Sequence, residues 1–179
     1  MLAKILVNVN NQVILIRQKT RGSELLMNDH KKAMMETGFW GRSAAGALIV
    51  AENSRRFLIA HRAEGTLQPN TWGTWGGAID AGETPEQTVI RELEEEAEFS
   101  CKMKEILPLF VFEHDSGFRY SNFLVVIEEE FSPVLNWEMQ EFGWFEFGCW
   151  PDPLHFGLER LLKDAPSLQI LAKASNQVS

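Results

Sequence analysis

Residues 76–99 constrain this 179-residue chain most, because they pass from a glycine-rich turn into a strongly acidic helix. Thr84 is a good N-cap, and Pro85 suits the first helical position. Gln87 stands three residues after Thr84, where a capping box takes Glu or Gln. The stretch therefore predicts a helix that begins directly after Thr84.

The predicted helix has two distinct faces. At about 100° per residue, one arc is apolar and holds Val89, Ile90, Leu93 and Ala97. A neighbouring arc holds Glu92, Glu95 and Glu96, whose like charges destabilise a helix by tenths of a kcal/mol per pair. A hard divalent cation would compensate, since it takes oxygen ligands and also reaches substrate phosphates. A solvated acidic face on a surface helix is the alternative.

The full spacing is more specific than the acidic run. It reads Gly77, five residues, Glu83, seven residues, Arg91-Glu92-Leu93, one residue, and Glu95-Glu96. This pattern resembles the signature box of the Nudix hydrolases, GX5EX7REUXEEXGU, in which U is aliphatic.

Two residues depart from that pattern. Glu98 stands where the box has glycine, and Trp75 stands where many members have proline. The box glycine ends the helix in a left-handed conformation, which costs another residue about 1–2 kcal/mol. The departure therefore bears on how the helix ends, and much less on its acidic face.

The resemblance implies a hydrolase that cleaves the diphosphate linkage of a nucleoside diphosphate joined to another moiety, by water attack on phosphorus. A nucleoside triphosphate, a nucleotide sugar such as ADP-ribose, or a dinucleotide would be the substrate, and Mg²⁺ (or Mn²⁺) the cofactor. The implied metal ligands are the Gly76 carbonyl, Glu92, Glu95 and Glu96. Arg91 would pair with Glu83, a structural residue of the box, and steady Glu92. The alternative is a catalytically weak Nudix-like module that binds a nucleotide or has a regulatory role.

The sequence leaves the general base open. Glu92 or Glu95 could take this role, as could a distal acid, since members of the family differ. The distal candidates are Glu128, Glu138 and Glu141. We favour Glu138, because it lies in an acid-then-Trp segment that resembles one in the family. The predicted catalytic residues are therefore Glu92, Glu95, Arg91 and Glu138.

Substrate contacts are predicted at Arg62, Trp75 and Gly77. Arg62 ends a predicted strand at a place where the family has a basic residue. A purine would also need an aromatic platform. The available aromatic residues are Trp72, Trp75, Phe112, Tyr120, Phe123 and Trp137. Most of these are expected in the core, and Trp75 is the preferred candidate because it adjoins Gly76.

The rest of the chain predicts an α/β fold of the α+β type: a Nudix-like α/β/α sandwich with a mixed β-sheet, plus an N-terminal hairpin and helix extension. Residues 1–42 form that extension, 43–165 the hydrolase domain and 166–179 a C-terminal tail. In the extension, Asn10-Asn11 predicts a hairpin turn, and a helix runs from an N-cap at Ser23 to an end near Gly38. The extension could add a sheet edge, cover the substrate or form a homodimer surface.

Net charge and hydropathy limit the classes of partner that this chain can bind. The net charge of −8 and the pI near 5.1 argue against non-specific binding to nucleic acid or anionic membranes. The sequence has no apolar run of about 18 residues, so no membrane-spanning helix is predicted. Cys101 and Cys149 are expected as reduced, buried thiols of a cytoplasmic protein. A nucleotide-type small molecule is therefore the expected partner.

Overall fold

A computed structural model describes residues 3–9, 12–18, 31–36, 38–39, 41–99 and 101–176. Strands β1 (Ala3–Val9) and β2 (Gln12–Gln18) pair antiparallel, which confirms the N-terminal hairpin. Residues 31–36 form helix α1, and Gly38 at its end has a positive φ and donates its N–H to the Met34 carbonyl. The predicted turn at 10–11 and the helix start at 23 lie outside the described residues.

The central sheet is mixed, as predicted. Its strands are β3 (Ser43–Ala51), β4 (Phe57–Arg62), β5 (Trp72–Gly73), β6 (Trp75–Ala78), β7 (Met103–Glu113), β8 (Arg119–Ile127) and β9 (Met139–Phe145). The order is β5-β4-β3-β8-β7, while β6 pairs with β3 and β9 pairs with β4. Strands β3 and β8 run parallel over nine residue pairs, whereas β7 and β8 form an antiparallel hairpin.

Helices cover both faces of this sheet, so the central strand β3 is buried on both sides. One face includes Ala45, Ala47 and Ile49 and packs against helix α2 (Pro85–Ala97). The other face, with Leu48 and Val50, packs against α3 (Phe156–Leu161) and α4 (Ala165–Ala174). The predicted α/β/α sandwich is therefore confirmed.

Helix α4 differs from the tail predicted for residues 166–179. The Asp164 carboxylate caps this helix by accepting the Ser167 N–H at 2.9 Å. Leu171 is fully buried in the same core as α3. The short segment gave little helical periodicity in the sequence, and packing on the sheet stabilises it.

A bulge in β7 is held by side chains from two other elements. The β7–β8 register shifts between Pro108 and Val111. Within that bulge, the Phe110 N–H donates to Ser167 Oγ at 2.9 Å, and the Phe110 carbonyl accepts from Asn122 Nδ2 at 2.8 Å. The irregular backbone is thus satisfied inside the protein, as burial requires.

No helix among the described residues is long and apolar enough to cross a membrane. Cys101 and Cys149 are both free thiols, but the predicted burial is wrong, since Cys101 is only half-buried and Cys149 is exposed.

Candidate active site

Helix α2 begins where the sequence predicts, and its end, which the sequence left open, lies at Glu98. The Gln87 N–H donates to Thr84 Oγ1 at 3.2 Å, and the Thr84 N–H donates to Gln87 Oε1 at 2.8 Å, which completes the capping box. At the other end, Glu98 has φ 45° and ψ 41°, and its N–H bonds the Leu93 carbonyl. Glu98 thus takes the left-handed conformation of the box glycine, although it carries a side chain.

Arg91 connects the turn before the helix to the acidic face. Its Nε lies 2.8 Å from Glu83 Oε1, and its Nη1 lies 2.6 Å from Glu92 Oε1. Its Nη2 also donates to the Ala78 carbonyl at 3.0 Å. Thr88 Oγ1 donates to the second oxygen of Glu83 at 2.8 Å. These charge-assisted bonds fix one oxygen of Glu92 in place.

The glycine pair makes room for the carboxylates. The Gly76 N–H donates to Glu96 Oε2 at 2.9 Å. A Cβ at Gly77 would lie 2.4 Å from Glu92 Oε1, and one at Gly76 would lie 2.2 Å from the Ala45 carbonyl oxygen. Gly77, predicted as a substrate contact, is therefore packed against Glu92.

Burial and mutual repulsion raise the pKa values of three carboxylates of this site. Glu96 is only 3% exposed, and burial, followed by the charges of Glu92 and Glu138, raises its pKa well above the usual value. Burial also raises the pKa of Glu92 to about 7, although Arg91 opposes the shift. The pKa of Glu138 is raised by burial, with a further contribution from Glu95. Without a counter-ion, ionising all of these carboxylates costs free energy, because they are desolvated and repel one another.

The donor chemistry fits a hard divalent cation, because carboxylate oxygens in a dry, acidic site are what such an ion takes. Binding would displace the protons and replace the missing positive charge. Among the residues that the structure describes, no three His, Cys, Asp or Glu side chains are already arranged to hold an ion. A cation would therefore have to draw the carboxylates together.

Arg62 brings positive charge to the edge of this acidic cluster. Its Nε donates to the Leu67 carbonyl at 2.8 Å, which ties the following loop to the end of β4. Its charge acts against the raised pKa values of Glu96 and Glu138. Arg62 therefore contributes positive charge next to the carboxylates of the site.

His155 also lies near Arg62, and the sequence analysis did not identify it as a site residue. Its ring caps α3 by accepting the Gly157 N–H at Nδ1, 3.2 Å away. Burial, then the Arg62 charge, lowers the pKa of His155 to about 4, so the ring is neutral at pH 7. Its position directly before a short helix was the available sequence signal.

Tyr120, one of the six aromatic candidates from the sequence, lies near the carboxylates of the site. Its hydroxyl lies 3.0 Å from Thr74 Oγ1, and burial raises its pKa to about 12, with a contribution from Glu96. A Cβ at Gly46 would lie 2.0 Å from that hydroxyl oxygen. The glycine at position 46 of β3 therefore leaves room for the hydroxyl of Tyr120 on the neighbouring strand.

The prediction for Trp75 as a stacking surface needs correction. The residue is 0% exposed and belongs to the core beneath α2, with its indole Nε1 buried and unpaired. Alternation along the short strand β6 directs its ring inward. The ring therefore offers no face to a ligand.

The structure separates the three distal acids. Glu128 follows β8 at the far end of the sheet, where its carboxylate lies 3.9 Å from Lys104 Nζ and its carbonyl accepts the Asn53 N–H. Glu141 is exposed and lies 3.5 Å from His61. Glu138 lies beside the box carboxylates, whose pKa values its charge raises.

Comparisons with known proteins agree with this geometry. A candidate 8-oxo-dGTP diphosphatase from Mycobacterium tuberculosis is 34% identical over 152 residues, which cover 78% of this chain and 70% of that protein. An 8-oxo-dGTP diphosphatase from Haemophilus influenzae is 34% identical over 103 residues, which cover 58% of this chain and 74% of that protein. The solved structure of RenU, a Nudix hydrolase from M. smegmatis, has a TM-score of 0.60 at 28% identity, covering 79% of this chain and 90% of that one.

The family model described as the NUDIX domain matches residues 40–164. That range includes the glycine pair, the whole of α2, Arg62 and Glu138. The chain therefore belongs to the Nudix hydrolase family.

Proposed function

We propose that this protein is a metal-dependent hydrolase of nucleoside triphosphates, with an oxidised purine nucleotide such as 8-oxo-dGTP as its substrate. One observation carries the proposal: the buried Glu96 and the half-buried Glu92 and Glu138 all have raised pKa values, with Arg62 at their edge. Such a cluster destabilises a fold unless a cation and an anionic substrate complete it. The 8-oxo-dGTP diphosphatases among the relatives support the substrate class.

Each residue has a proposed role in cleaving the phosphoanhydride. Glu92 and Glu96 would hold Mg²⁺ or Mn²⁺, with the Gly76 carbonyl and Glu95 as further ligands. The cation supplies positive charge to the non-bridging phosphate oxygens. Arg62 neutralises a phosphate of the substrate, and Arg91 holds Glu92 in position through the contact at 2.6 Å.

Glu138 serves as the general base in this proposal. Its carboxylate takes a proton from the attacking water as the new oxygen–phosphorus bond forms and the bridging phosphorus–oxygen bond breaks. A raised pKa suits this task, because a base works best when its pKa approaches the operating pH. The leaving phosphate departs with the electron pair of the broken bond.

The test is hydrolysis of a panel containing 8-oxo-dGTP, dGTP, ATP, ADP-ribose and a dinucleoside polyphosphate, with Mg²⁺, Mn²⁺ or chelator. We compare the wild type with Glu96→Gln and with the matched control Glu94→Gln, whose residue is exposed on the same helix. We expect metal-dependent turnover of 8-oxo-dGTP, a loss of at least about 100-fold in Glu96→Gln, and little change in the control.

Folding must be measured beside activity. Gln at position 96 keeps an acceptor for the Gly76 N–H and removes a buried charge, so the metal-free variant should be at least as stable as the wild type. Full activity in folded Glu96→Gln would refute the metal assignment. Turnover of ADP-ribose alone would keep the reaction and replace the substrate.

A further inference from the structure

The structure ranks the six aromatic residues that could stack on a base. Trp75, Phe112 and Phe123 are buried in the core. The Tyr120 hydroxyl is bonded to Thr74, and one face of Trp72 is covered by the His61 ring, 4.5 Å away and nearly parallel. Trp137 differs from all of these, because it is 71% exposed.

Trp137 is held in place although its ring is exposed. It lies in a turn with Glu138, whose N–H donates to Asn136 Oδ1 at 2.8 Å. The Glu138 carbonyl accepts the Ala63 N–H at 2.8 Å, directly after Arg62. Gly65 lies against the indole, at 4.0 Å between its ideal Cβ position and Cζ3 of Trp137. The turn that positions Glu138 therefore also positions the indole.

Two other exposed apolar side chains lie on segments fastened to the same site. Leu67 is 43% exposed, and its carbonyl accepts the Arg62 Nε–H. Val134 is 56% exposed, and its N–H donates to the Ala97 carbonyl at the end of α2. Both residues therefore lie on segments that contact elements of the site through backbone hydrogen bonds.

We propose that Trp137 stacks on the base of the nucleotide while Arg62 and the acidic cluster bind its phosphates. This assignment rests on the proposed function, because it needs a nucleotide in that site. A planar heteroaromatic ring matches the exposed indole face, and base stacking needs no hydrogen-bond partners. Discrimination for larger, purine-type bases follows, since their stacking area is greater.

Three variants test the role of the indole. Trp137→Ala removes the ring, Trp137→Phe keeps an aromatic face, and Val111→Ala removes an exposed apolar side chain on β7, at the opposite edge of the sheet. We would measure kcat and KM for 8-oxo-dGTP and dCTP, the inhibition constant of pyrophosphate, and nucleotide affinity by calorimetry on each full-length chain.

We expect Trp137→Ala to raise KM and Kd for 8-oxo-dGTP about tenfold or more, with kcat nearly unchanged. The preference over dCTP should shrink. Pyrophosphate has no base, so its inhibition constant should stay the same. Phe should restore most of the affinity, and Val111→Ala should match the wild type.

The outcomes separate this inference from the proposed function. Turnover with unchanged KM in Trp137→Ala would overturn the stacking role and leave the hydrolase intact. Nucleotide binding without turnover, weakened only in Trp137→Ala, would support stacking and overturn the hydrolase. Equal weakening of nucleotide and pyrophosphate would mean that the turn around Glu138 had moved, and would also overturn the stacking role. A wild type that neither binds nor hydrolyses nucleotides would overturn both.

Discussion

The two faces of the sheet both bury a polar side chain, but they treat it in opposite ways. Beneath α3 and α4, Ser167 is 2% exposed, and its hydroxyl accepts the Phe110 N–H that the β7 bulge leaves free. Beneath α2, Glu96 is equally buried, and its pKa is raised by desolvation and by other carboxylates. The Ser167 hydroxyl therefore stabilises the fold, whereas the charge of Glu96 destabilises it.

This difference shows where to look for function in such a sandwich. A buried hydroxyl with a partner contributes to stability by avoiding an unpaired N–H. A buried carboxylate among others costs stability until something neutralises it. The α2 face therefore bears features that folding alone does not explain, and substitutions on the two faces should separate activity from stability.

The largest effect is expected for Gly77→Ala on the α2 face. The added methyl would lie 2.4 Å from Glu92 Oε1, so this carboxylate must shift and loosen its contact with Arg91. We expect kcat/KM to fall about 100-fold, since small displacements of catalytic groups have effects of that order. The melting temperature should change little. A large loss of stability with normal kcat/KM would show that this face also serves mainly to hold the fold.

A pH effect is expected from His155, on the opposite face. Its folded pKa of about 4 lies below the usual 6.5, so the folded state disfavours its proton. The stability that this residue contributes is complete above pH 6.5 and is lost as the pH falls towards 4, by up to about 3 kcal/mol. Asn can keep the cap of α3, so His155→Asn should flatten this part of the acid destabilisation.

Urea unfolding of both proteins at pH 7.5 and pH 4.5 measures this difference. The carboxylates common to both proteins cancel in the comparison. Equal losses of unfolding free energy in the wild type and the variant would contradict the lowered pKa of His155.

On the same face, Ser167→Ala should lower stability by about 1 kcal/mol, because the partly buried Phe110 N–H loses its acceptor. The kcat should remain at the wild-type value. Ser175→Ala is the matched control, since its hydroxyl only donates to the Ala172 carbonyl near the end of α4. Chemical denaturation checks both variants, and an equal cost in the two would remove any special role for the bulge contact.

The smallest effect is expected at the end of α2. Glycine at position 98 relieves a left-handed residue, so Glu98→Gly should stabilise the protein by about 0.5–1 kcal/mol. Glu94→Gly, inside the same helix, should instead destabilise it by about 1 kcal/mol. Loss of stability in both variants would show that the Glu98 side chain itself contributes.

The sequence predicted α2 well, because capping, periodicity and the box spacing all describe one continuous segment. The resemblance to the Nudix box implied that Arg91 pairs with Glu83 and steadies Glu92, and the structure shows both contacts. The sequence could not place Arg62 near Glu138, since their proximity depends on how β4 and β9 pair. It also misjudged Trp75, because an aromatic residue next to a box glycine looks the same whether its strand turns it inward or outward.

The parallel pairing of β3 with β8 also has a consequence for how the protein forms. Ser43 aligns with Arg119, so α2 and β6 lie within the long loop that this pairing closes. Strand pairs between distant segments form slowly, because the chain must lose loop-closure entropy before the pair gains any stabilising contacts. Glu138 and β9 are synthesised later still. We expect the box glutamates to be synthesised well before the site can fold. Affinity for metal and for nucleotide should then appear together, in the last folding step.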